Sequence, residues 1–419
     1  MKRPVALLSF EGPDRYSMVG GLGTRVTELA HAFAEAGSQI DLFFIGDPQL
    51  APIEEAAPRV RYRRWCQWIS AYHPANVYDG EPGKVDDFAK SIPPVIVDEI
   101  VVPAAERGER TLVIAEEWQT SGAVIALDAL LRRRGLRDAA TLLWNANNTY
   151  GFESVDWASL RRAAAITTIS KYMKFELAMR GQQPLIVPNG IPARLLDGAD
   201  AALVARWRAA LGARPAFLKV GRFDPDKRWM QAIDALALLQ DVPPPPRLVV
   251  RGGREPYGED VLARARHHGL NVEEVSAPGN DEERLFANVA ACRADVIVLR
   301  AFLPNESLYA LYAAASAVLA NSGREPFGLV GLEVMAAGGL PVCGATGEEY
   351  AEPFINAIVV DTDSPTELAA YLRDLIADPT LSSGMRVTAK QTAARFTWDA
   401  VLQTLERKLE FIEAGQGQL

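Results

Sequence analysis

The sequence predicts an α/β protein made of two Rossmann-like domains, each with a parallel sheet covered by helices. Short apolar runs alternate with helical patterns along nearly the whole chain, which is typical of parallel sheets flanked by helices. The chain has 419 residues, more than one hydrophobic core usually organises. The alternation also restarts after the middle of the chain, so we assign the two series to separate domains.

The first series begins with an apolar run and an amphipathic helix. The helix, residues 24–36, presents Val26, Leu29 and Phe33 on one face, and Gly37 follows it as a C-terminal cap. Six apolar runs of this half are predicted to be strands: residues 5–10, 40–45, 111–114, 140–144, 165–169 and 185–187.

A cluster of turn-forming residues, Pro188-Asn189-Gly190-Ile191-Pro192, separates the two series. The predicted strands after it are residues 216–220, 247–250, 296–299, 317–320, 340–342 and 357–360. We therefore assign residues 1–190 to an N-terminal domain and residues 191–397 to a C-terminal domain. The last segment, residues 398–419, begins as an amphipathic helix that we expect to pack back on the N-terminal domain.

Charge and composition argue against several classes of protein. A formal net charge of −9 disfavours nucleic acid as a partner. No run approaches the roughly 20 apolar residues of a membrane span, and the N-terminal apolar run is too short for a signal peptide. The three widely spaced cysteines fit reduced thiols. We expect a soluble, cytoplasmic protein.

Two basic clusters run against the acidic balance. They comprise Arg59, Arg61, Arg63 and Arg64, then Arg132, Arg133, Arg134 and Arg137. We interpret both as solvated faces of helices or strands. The alternative is a docking patch for anionic lipid or for an acidic acceptor.

Gly20-Gly21-Leu22-Gly23 follows the first predicted strand and immediately precedes a helix. Glycines let the backbone approach an anion closely, and the amides at a helix N-terminus donate to it. The segment is therefore a candidate phosphate site, although a tight turn also needs glycine. A dinucleotide-binding fingerprint fits poorly, because its third glycine position falls on Val26 and the preceding loop is long.

A second candidate follows the first strand of the second series. Arg222 and Lys227 lie five residues apart in a loop bent by Pro225, so both can converge on one diphosphate. Open α/β sheets bind ligands at the C-terminal ends of their strands. This position favours a binding role over a solvated surface loop.

The most specific segment is Glu325-Pro326-Phe327-Gly328-Leu329-Val330-Gly331-Leu332-Glu333. It predicts a loop that leads into a helix, with Glu325 before the helix and Glu333 about one turn inside it. One carboxylate can then bind a sugar and the other ribose hydroxyls. The amides of Gly328 and Leu329 can meet a phosphate at the helix N-terminus.

Together these segments resemble glycosyltransferase family 4, the group that contains sucrose, trehalose, glycogen and phosphatidylinositol mannoside synthases. The resemblance covers nearly the whole chain. Besides the three segments above, it includes Ser170-Lys171-Tyr172, Val187-Pro188-Asn189-Gly190-Ile191 and residues 308–320. It implies a GT-B fold, with two domains facing each other across a cleft. It also implies retaining transfer of a hexosyl group from a nucleoside diphosphate sugar, without a metal ion or other cofactor.

The resemblance also implies roles for individual residues. Arg222, Lys227 and Glu325 would be the catalytic group, the first two on the diphosphate and the third on the transferred sugar. Glu333 would bind the ribose, and the base would lie near residues 299–302. The remaining donor contacts would come from Gly21, Leu22, Gly23, Ala301, Phe327, Gly328 and Leu329.

One feature of the family is missing. Many members carry a histidine at the end of a first-domain strand, where it touches the donor sugar. Here the corresponding stretches read Glu116-Glu117-Trp118-Gln119 and Trp144-Asn145-Ala146-Asn147-Asn148. Asn145 or Asn147 could instead bind a sugar hydroxyl, and Glu116 or Glu117 could bind an acceptor. This departure leaves the donor sugar open.

The acceptor, a sugar or a small hydroxyl compound, is expected to enter from the first domain, through residues 11–19, 66–82 and 145–153. Aromatic side chains in or directly beside these stretches either stack on sugar rings or pack under long loops: Trp65, Trp68, Tyr72, Tyr78, Tyr150 and Phe152. Two alternatives to a soluble transferase stay open. One is a peripheral membrane enzyme with a lipid-linked acceptor, and the other is a catalytically silent nucleotide-sugar-binding protein.

Overall fold

The computed structural model describes residues 2–415 of the chain. These residues form two compact units. Unit 1 contains the described residues up to Pro192 together with those from Phe396 onward, and unit 2 contains Ala193–Arg395. The chain therefore passes from unit 1 into unit 2 within the predicted turn cluster and returns two residues before the predicted last helix.

Unit 1 is built on an eight-stranded sheet. Its strands are β1 Val5–Leu8, β2 Ile40–Ile45, β3 Ile53–Ala57, β4 Val60–Trp65, β5 Thr111–Glu116, β6 Ala140–Ala146, β7 Ala165–Thr168 and β8 Leu185–Ile186. They lie in the order β3-β4-β2-β1-β5-β6-β7-β8. All neighbours are parallel except β3 and β4, which are antiparallel.

The helices of unit 1 that precede residue 192 cover this sheet. They are α1 Gly21–Glu35, α2 Gln67–Ser70, α3 Glu81–Ile96, α4 Val102–Glu106, α5 Ser121–Arg133, α6 Trp157–Ala163 and α7 Lys171–Ala178. Helix α1 starts three residues earlier than predicted, so the glycine segment forms its first turn rather than a loop before it.

Strands β3 and β4 were not predicted, because charged residues interrupt their apolar pattern. Strand β4 reads Val-Arg-Tyr-Arg-Arg-Trp. Its Arg63 and Arg64 are buried at 4% and 6% exposure. Nε of Arg63 donates to Asp41 at 2.6 Å, and Nε of Arg64 donates to Asp14 at 2.8 Å. Ion pairing lets these arginines occupy strand positions that composition alone assigns to the surface.

Unit 2 is built on a seven-stranded sheet in which every pair of neighbours is parallel. Its strands are β9 Ala216–Val220, β10 Arg247–Arg251, β11 Val272–Val275, β12 Val296–Leu299, β13 Ala317–Ala320, β14 Pro341–Cys343 and β15 Ile358–Val359. They lie in the order β11-β12-β10-β9-β13-β14-β15. The unpredicted strand, β11, reads Val-Glu-Glu-Val with both carboxylates exposed.

The helices of unit 2 pack on both faces of that sheet. They are α8 Ala201–Leu211, α9 Trp229–Ala237, α10 Tyr257–His267, α11 Glu282–Ala291, α12 Asn305–Ala314, α13 Leu329–Ala336, α14 Pro365–Ala377 and α15 Thr380–Ala393. Two apolar clusters, one on each face, form the core. The predicted α/β class with two parallel-sheet Rossmann-like domains is confirmed.

The last helix, α16 Trp398–Gly415, belongs to unit 1. Its apolar face, which includes Leu402, Leu405 and Leu409, is buried in the same cluster as Val26 and Phe33 of α1. Because the chain returns to unit 1 at its end, this unit is assembled from both termini of the sequence.

Each sheet changes the direction of its winding next to its first strand. In unit 1 this switch lies between β1 and β5, and in unit 2 it lies between β9 and β13. Ligands of doubly wound sheets bind beside the C-terminal ends of the strands at such a point. The topology therefore predicts that ligands bind at the loops that follow these four strands.

Candidate active site

The loops after β9 and β13 bring the predicted donor residues of unit 2 together. Nζ of Lys227 lies 2.7 Å from Oε1 of Glu325, and both side chains are about a quarter exposed, at 23% and 26%. The N–H of Gly323 donates to the carbonyl of Asp226 at 2.8 Å, which joins the two loops through the backbone. An ammonium and a carboxylate thus meet at the switch point, partly accessible to a ligand.

The loop that carries Arg222 and Lys227 is anchored from below. Phe223 is buried against Trp229, with ring centroids 4.6 Å apart. Nε1 of Trp229 donates to the carbonyl of Arg222 at 2.8 Å, and the N–H of Phe223 donates to Glu255 at 3.0 Å. These contacts fix the backbone on either side of Arg222, while its own side chain is exposed.

A cavity of about 490 Å³ lies beside this loop, within the size range of small-molecule sites. Its lining joins the predicted diphosphate residue Arg222 to Ala301 of the predicted base region. The full lining is Val220, Gly221, Arg222, Arg251, Gly252, Gly253, Arg254, Leu299, Arg300 and Ala301. It contains four arginines and no carboxylate, so the cavity favours an anionic ligand.

Helix α13 begins at the predicted place. Gly328 precedes it in the left-handed region at φ 81°, which favours glycine. The side chain of Phe327 is 3% exposed, so only its backbone is available to a ligand. Glu333 is partly buried inside the helix, and burial, followed by the negative charge of Glu325, raises its pKa to about 7.

Tyr350 supports this helix start and was missed by the sequence analysis. Its hydroxyl donates to the carbonyl of Gly328. A Cβ on Gly331 would lie 2.5 Å from the same hydroxyl, so glycine is needed there for close packing. Tyr350 lies 22 residues after Gly328, and no local pattern connects the two.

Lys219 is a second unpredicted residue at this switch point. It sits in β9 at 2% exposure, and its Nζ donates to the carbonyl of Leu319 at 3.2 Å and to the side chain of Asn321. Burial, followed by the positive charge of Lys227, lowers its pKa to about 7. The signal available in the sequence was a lysine inside the apolar run Ala-Phe-Leu-Lys-Val.

In unit 1, backbone amides of the glycine segment are hydrogen-bonded to the carboxylate of Glu11. The N–H groups of Gly20 and Gly23 donate to Oε2 of Glu11 at 2.9 Å and 3.1 Å. Within the described residues, the N–H groups of Gly21 and Leu22 make no hydrogen bond. Of the candidate phosphate donors in this segment, Gly21 and Leu22 therefore keep free amides.

The polar residues after β5 and β6 form a buried network around Glu116. Nη2 of Arg25 lies 3.2 Å from Oε1 of Glu116, and the side-chain amides of Asn145 and Asn147 donate to Oε2 at 2.7 Å and 2.6 Å. Oδ1 of Asn145 accepts from Thr167 at 2.9 Å. Asn145 is 1% exposed and fully bonded, so the structure places it beneath the surface of the strand ends.

Glu117 combines three unusual features. Its backbone has φ 71° and ψ 166°, a conformation that is strained for any residue except glycine. Its side chain is 3% exposed; Oε1 accepts from the N–H of Asn147 at 2.8 Å, and Oε2 has no partner in the described chain. Burial raises its pKa to about 8. Strained, unsatisfied groups of this kind concentrate at functional sites.

The six aromatic candidates differ in exposure, with Trp65 and Tyr78 half-buried. Tyr150, Trp68 and Tyr72 are exposed at 77%, 65% and 81%. Phe152 is buried, and its ring packs 5.1 Å from that of Trp157. The structure therefore keeps Tyr150 available to a ligand, whereas Phe152 is ordinary packing.

The two arginine clusters are largely neutralised. In the first cluster, Asp41 and Asp14 form salt bridges with Arg61, Arg63 and Arg64. In the second cluster, Asp128 and Asp98 form salt bridges with Arg132, Arg134 and Arg137. Across residues 2–415, no helix is long and apolar enough to cross a membrane. Nor do the described side chains include a group of three or more histidine, cysteine, aspartate or glutamate residues that could hold a metal ion.

The chain is similar in sequence to known glycosyltransferases. Residues 206–393 match the family model described as Glycosyl transferases group 1. The D-inositol 3-phosphate glycosyltransferase 1 of Catenulispora acidiphila is 28% identical over 422 residues, covering 95% of this chain and 93% of that protein. The D-inositol 3-phosphate glycosyltransferase of Streptomyces avermitilis is 31% identical over 234 residues, covering 53% and 45% respectively.

Two solved structures share the architecture. Sucrose-phosphate synthase from Thermosynechococcus elongatus has a TM-score of 0.67 at 21% identity, covering 99% of this chain and 100% of that one. HepE from Anabaena, solved in complex with UDP and glucose, has a TM-score of 0.64 at 16% identity, covering 97% and 99%. At these identities the likeness establishes the fold.

Proposed function

We propose that this chain, a family 4-like glycosyltransferase with a GT-B fold, moves a hexosyl group from a nucleoside diphosphate sugar to a hydroxyl acceptor. The transfer retains the anomeric configuration and uses no metal ion or other cofactor. The observation that carries this proposal is the contact between Lys227 and Glu325 at the switch point of unit 2, beside the cavity that Arg222 lines. The HepE structures with UDP and with UDP-glucose support a nucleotide-sugar donor.

The donor residues answer the main electrostatic demand of the reaction. Negative charge grows on the diphosphate as the glycosidic bond breaks, and preorganised cations stabilise that charge. Arg222 and Lys227 are the stabilising cations here, and the amides of Gly328 and Leu329 add the dipole of a helix N-terminus. When the diphosphate takes Lys227, the carboxylate of Glu325 becomes free to accept hydrogen bonds from hydroxyls of the sugar.

The nucleoside extends away from this point. Glu333 accepts from the ribose hydroxyls, and the base occupies the part of the cavity near Ala301. Arg300 of the lining pairs with Glu274 at 3.0 Å. The other three arginines keep the cavity positive, which favours a doubly charged diphosphate over a neutral ligand.

The acceptor binds to unit 1. The curated relatives are named for D-inositol 3-phosphate and a HepE structure holds glucose, so we propose a sugar or polyol acceptor. The raised pKa of Glu117, about 8, lies close to neutral pH, so this carboxyl group can hold or release a proton at an acceptor hydroxyl. Tyr150 offers an exposed ring. Because six of the eight arginines in the two clusters are paired with carboxylates, no observation favours a lipid-linked acceptor. Cytoplasmic location stays a prediction.

Release of nucleoside diphosphate tests the proposal directly. UDP-, GDP- and ADP-sugars are incubated with the protein, EDTA and a mixed pool of sugars and polyols. We expect release from one donor, increased by acceptor and unchanged by EDTA, with a product whose anomeric proton shows the donor's configuration by NMR. Binding of a nucleotide without release from any donor would refute the proposed activity. Loss of release with EDTA would refute metal independence alone.

A further inference from the structure

The carboxylate of Glu11 lies between two segments of unit 1 that carry candidate site residues, the start of α1 and the loop before α3. Glu11 follows β1 and is 4% exposed. Its Oε2 accepts from the N–H groups of Gly20 and Gly23, and its Oε1 accepts from the hydroxyl of Tyr78 at 2.6 Å. One buried carboxylate thus connects the start of α1 to the loop between α2 and α3.

The segment around Tyr78 is itself held firmly. Lys84 is fully buried, and its Nζ donates to the carbonyls of Val77 at 3.0 Å and Asp79 at 2.6 Å. The same Nζ donates to the hydroxyl of Tyr16 at 2.6 Å. The ring of Tyr78 stacks near that of Phe10, with centroids 6.0 Å apart. Tyr78 therefore presents its hydroxyl to Glu11 from a fixed backbone.

We propose that Glu11 and Tyr78 are positioning residues that tie the glycine segment to the loop between α2 and α3. The effect of this tie on turnover rests on the proposed function. The hydrogen bonds that form the tie do not depend on it. The tie makes the orientation of the free amides of Gly21 and Leu22 depend on the loop through which the acceptor is expected to enter. If the loop moves when the acceptor binds, the orientation of these amides changes with it.

An incoming anion does not displace Glu11 in this arrangement. Displacement would leave a buried carboxylate without its amide donors, and an unpaired buried charge is costly. It would also break the contact with Tyr78, whose backbone Lys84 holds in place. The carboxylate thus acts as a permanent internal ligand of the segment, and the anion is left with the amides of Gly21 and Leu22.

A simpler role for Glu11 is a cap of α1 alone, satisfying amides at a helix N-terminus. The two roles differ at Tyr78. For a plain cap, removal of the Tyr78 hydroxyl leaves the glycine amides unaffected, whereas a tie through Tyr78 transmits the loss to them.

Hydrogen exchange of the Gly20 and Gly23 amides separates these roles in the full chain. We expect Tyr78→Phe to speed their exchange about 10-fold and Glu11→Ala about 100-fold, since a hydrogen bond to a charged group is worth one to two factors of ten. Glu11→Gln should recover most of the protection, because its amide oxygen still accepts from the glycines. Tyr62→Phe is the matched control, since it removes another partly buried hydroxyl of unit 1, whose one hydrogen-bond partner in the described part of the chain is His31, at 3.5 Å. Unchanged exchange in Tyr78→Phe would overturn the tie.

Turnover gives the second readout. In Tyr78→Phe we expect kcat to fall about 10-fold, while the Kd for nucleoside diphosphate, most of whose proposed contacts lie in unit 2, stays within about twofold. A change in that Kd equal to the change in kcat would indicate a general loss of structure and overturn the positioning role. If the wild-type chain releases no nucleoside diphosphate, the proposed function fails, and the exchange experiment still decides whether the tie exists.

Discussion

Lys227 and Glu325 neutralise each other in the structure, at 2.7 Å, so a diphosphate must compete with Glu325 for the ammonium group. Glu325→Gln removes that competition while keeping a side chain that can bind sugar hydroxyls weakly. We expect nucleoside diphosphate to bind equally well or up to about 10-fold more tightly, and transfer to fall about 100-fold or more, because the hydroxyls of the transferred sugar lose their charged hydrogen-bond acceptor. Calorimetry and diphosphate release measure the two effects.

The exposed Glu348, also in unit 2, provides a control of the same chemistry. Glu348→Gln removes one negative charge from the same unit and should change neither quantity by more than about twofold. Full turnover in Glu325→Gln would show that the carboxylate does not act on the transferred sugar.

The raised pKa of Glu333, about 7, makes donor binding depend on pH. Above pH 7 the carboxylate accepts hydrogen bonds from both ribose hydroxyls; below pH 7 one of its oxygens carries a proton and stops accepting. Affinity for nucleoside diphosphate should therefore fall about 3- to 10-fold as pH drops from 8 to 6. Glu333→Gln should bind more weakly at pH 8 and show no such slope. The same slope in both proteins would exclude Glu333 as its origin.

Glu117 predicts a pH dependence of stability. Its pKa rises from 4.5 to about 8 on folding, so between these values the folded state holds a proton that the unfolded state has released. The free energy of unfolding therefore falls as pH rises through this window, and the loss is complete above pH 8. Glu117→Gln stays neutral, so its stability relative to wild type should increase with pH, by about 2 to 4 kcal/mol at pH 9.

Urea unfolding at pH 5, 7 and 9 measures this difference, with the exposed Glu153→Gln as control. A difference between wild type and Glu117→Gln that is independent of pH would show that the carboxyl is not protonated on folding.

At the scale of elements, local pattern was enough where a helix or strand is defined by its own residues. Helix α13 could be placed because Gly328 marks its start, and apolar neighbours put Glu333 on its second turn. The same reasoning put Arg222 and Lys227 in a loop after β9. It failed for β4, whose arginines are buried only because Asp41 and Asp14 lie on other segments of the chain.

The glycine segment shows the same limit within a candidate site. Its sequence predicts free amides before a helix, yet two of the four glycine-segment residues donate to Glu11, which lies 9 and 12 residues earlier. The tie continues to Tyr78, 67 residues after Glu11. Contacts between distant residues depend on the topology of the sheet, and no motif in one sequence encodes them.

Close packing of α13 gives a prediction for this element. A Cβ at position 331 would lie 2.5 Å from the hydroxyl of Tyr350 and 3.2 Å from Sγ of Cys343. Gly331→Ala must therefore displace α13 or Tyr350, and we expect it to lower the free energy of unfolding by about 1 to 3 kcal/mol. It should also weaken nucleotide binding, since Gly328 and Glu333 belong to the same element.

Gly384 in α15 is the matched control, because a Cβ there meets nothing within 4 Å. Gly384→Ala should be neutral or raise stability by up to about 1 kcal/mol, the gain expected for alanine in a helix. Urea unfolding compares the two variants, and an equal response to both substitutions would show that Tyr350 does not constrain α13.

On the scale of the whole molecule, the two units differ in how they are assembled. Unit 1 needs both ends of the chain, because α16 supplies apolar side chains to its core. A Cβ on Gly190 would lie 2.3 Å from the ring of Trp398, so the exit from unit 1 and the return to it pack directly on each other. Unit 2 is instead one continuous segment, Ala193–Arg395.

This continuity predicts that residues 193–395 fold and bind nucleotide alone. The segment contains both apolar clusters that cover its sheet, and every proposed nucleotide contact in unit 2 lies within it, including Arg222, Lys227 and Glu333. We expect its Kd for nucleoside diphosphate to lie within about fivefold of the full chain's, with no transfer to acceptor, because the proposed acceptor residues belong to unit 1. Arg222→Ala in the same fragment should weaken binding about 10-fold or more. A folded fragment that binds no nucleotide would show that unit 1 supplies part of the nucleotide affinity.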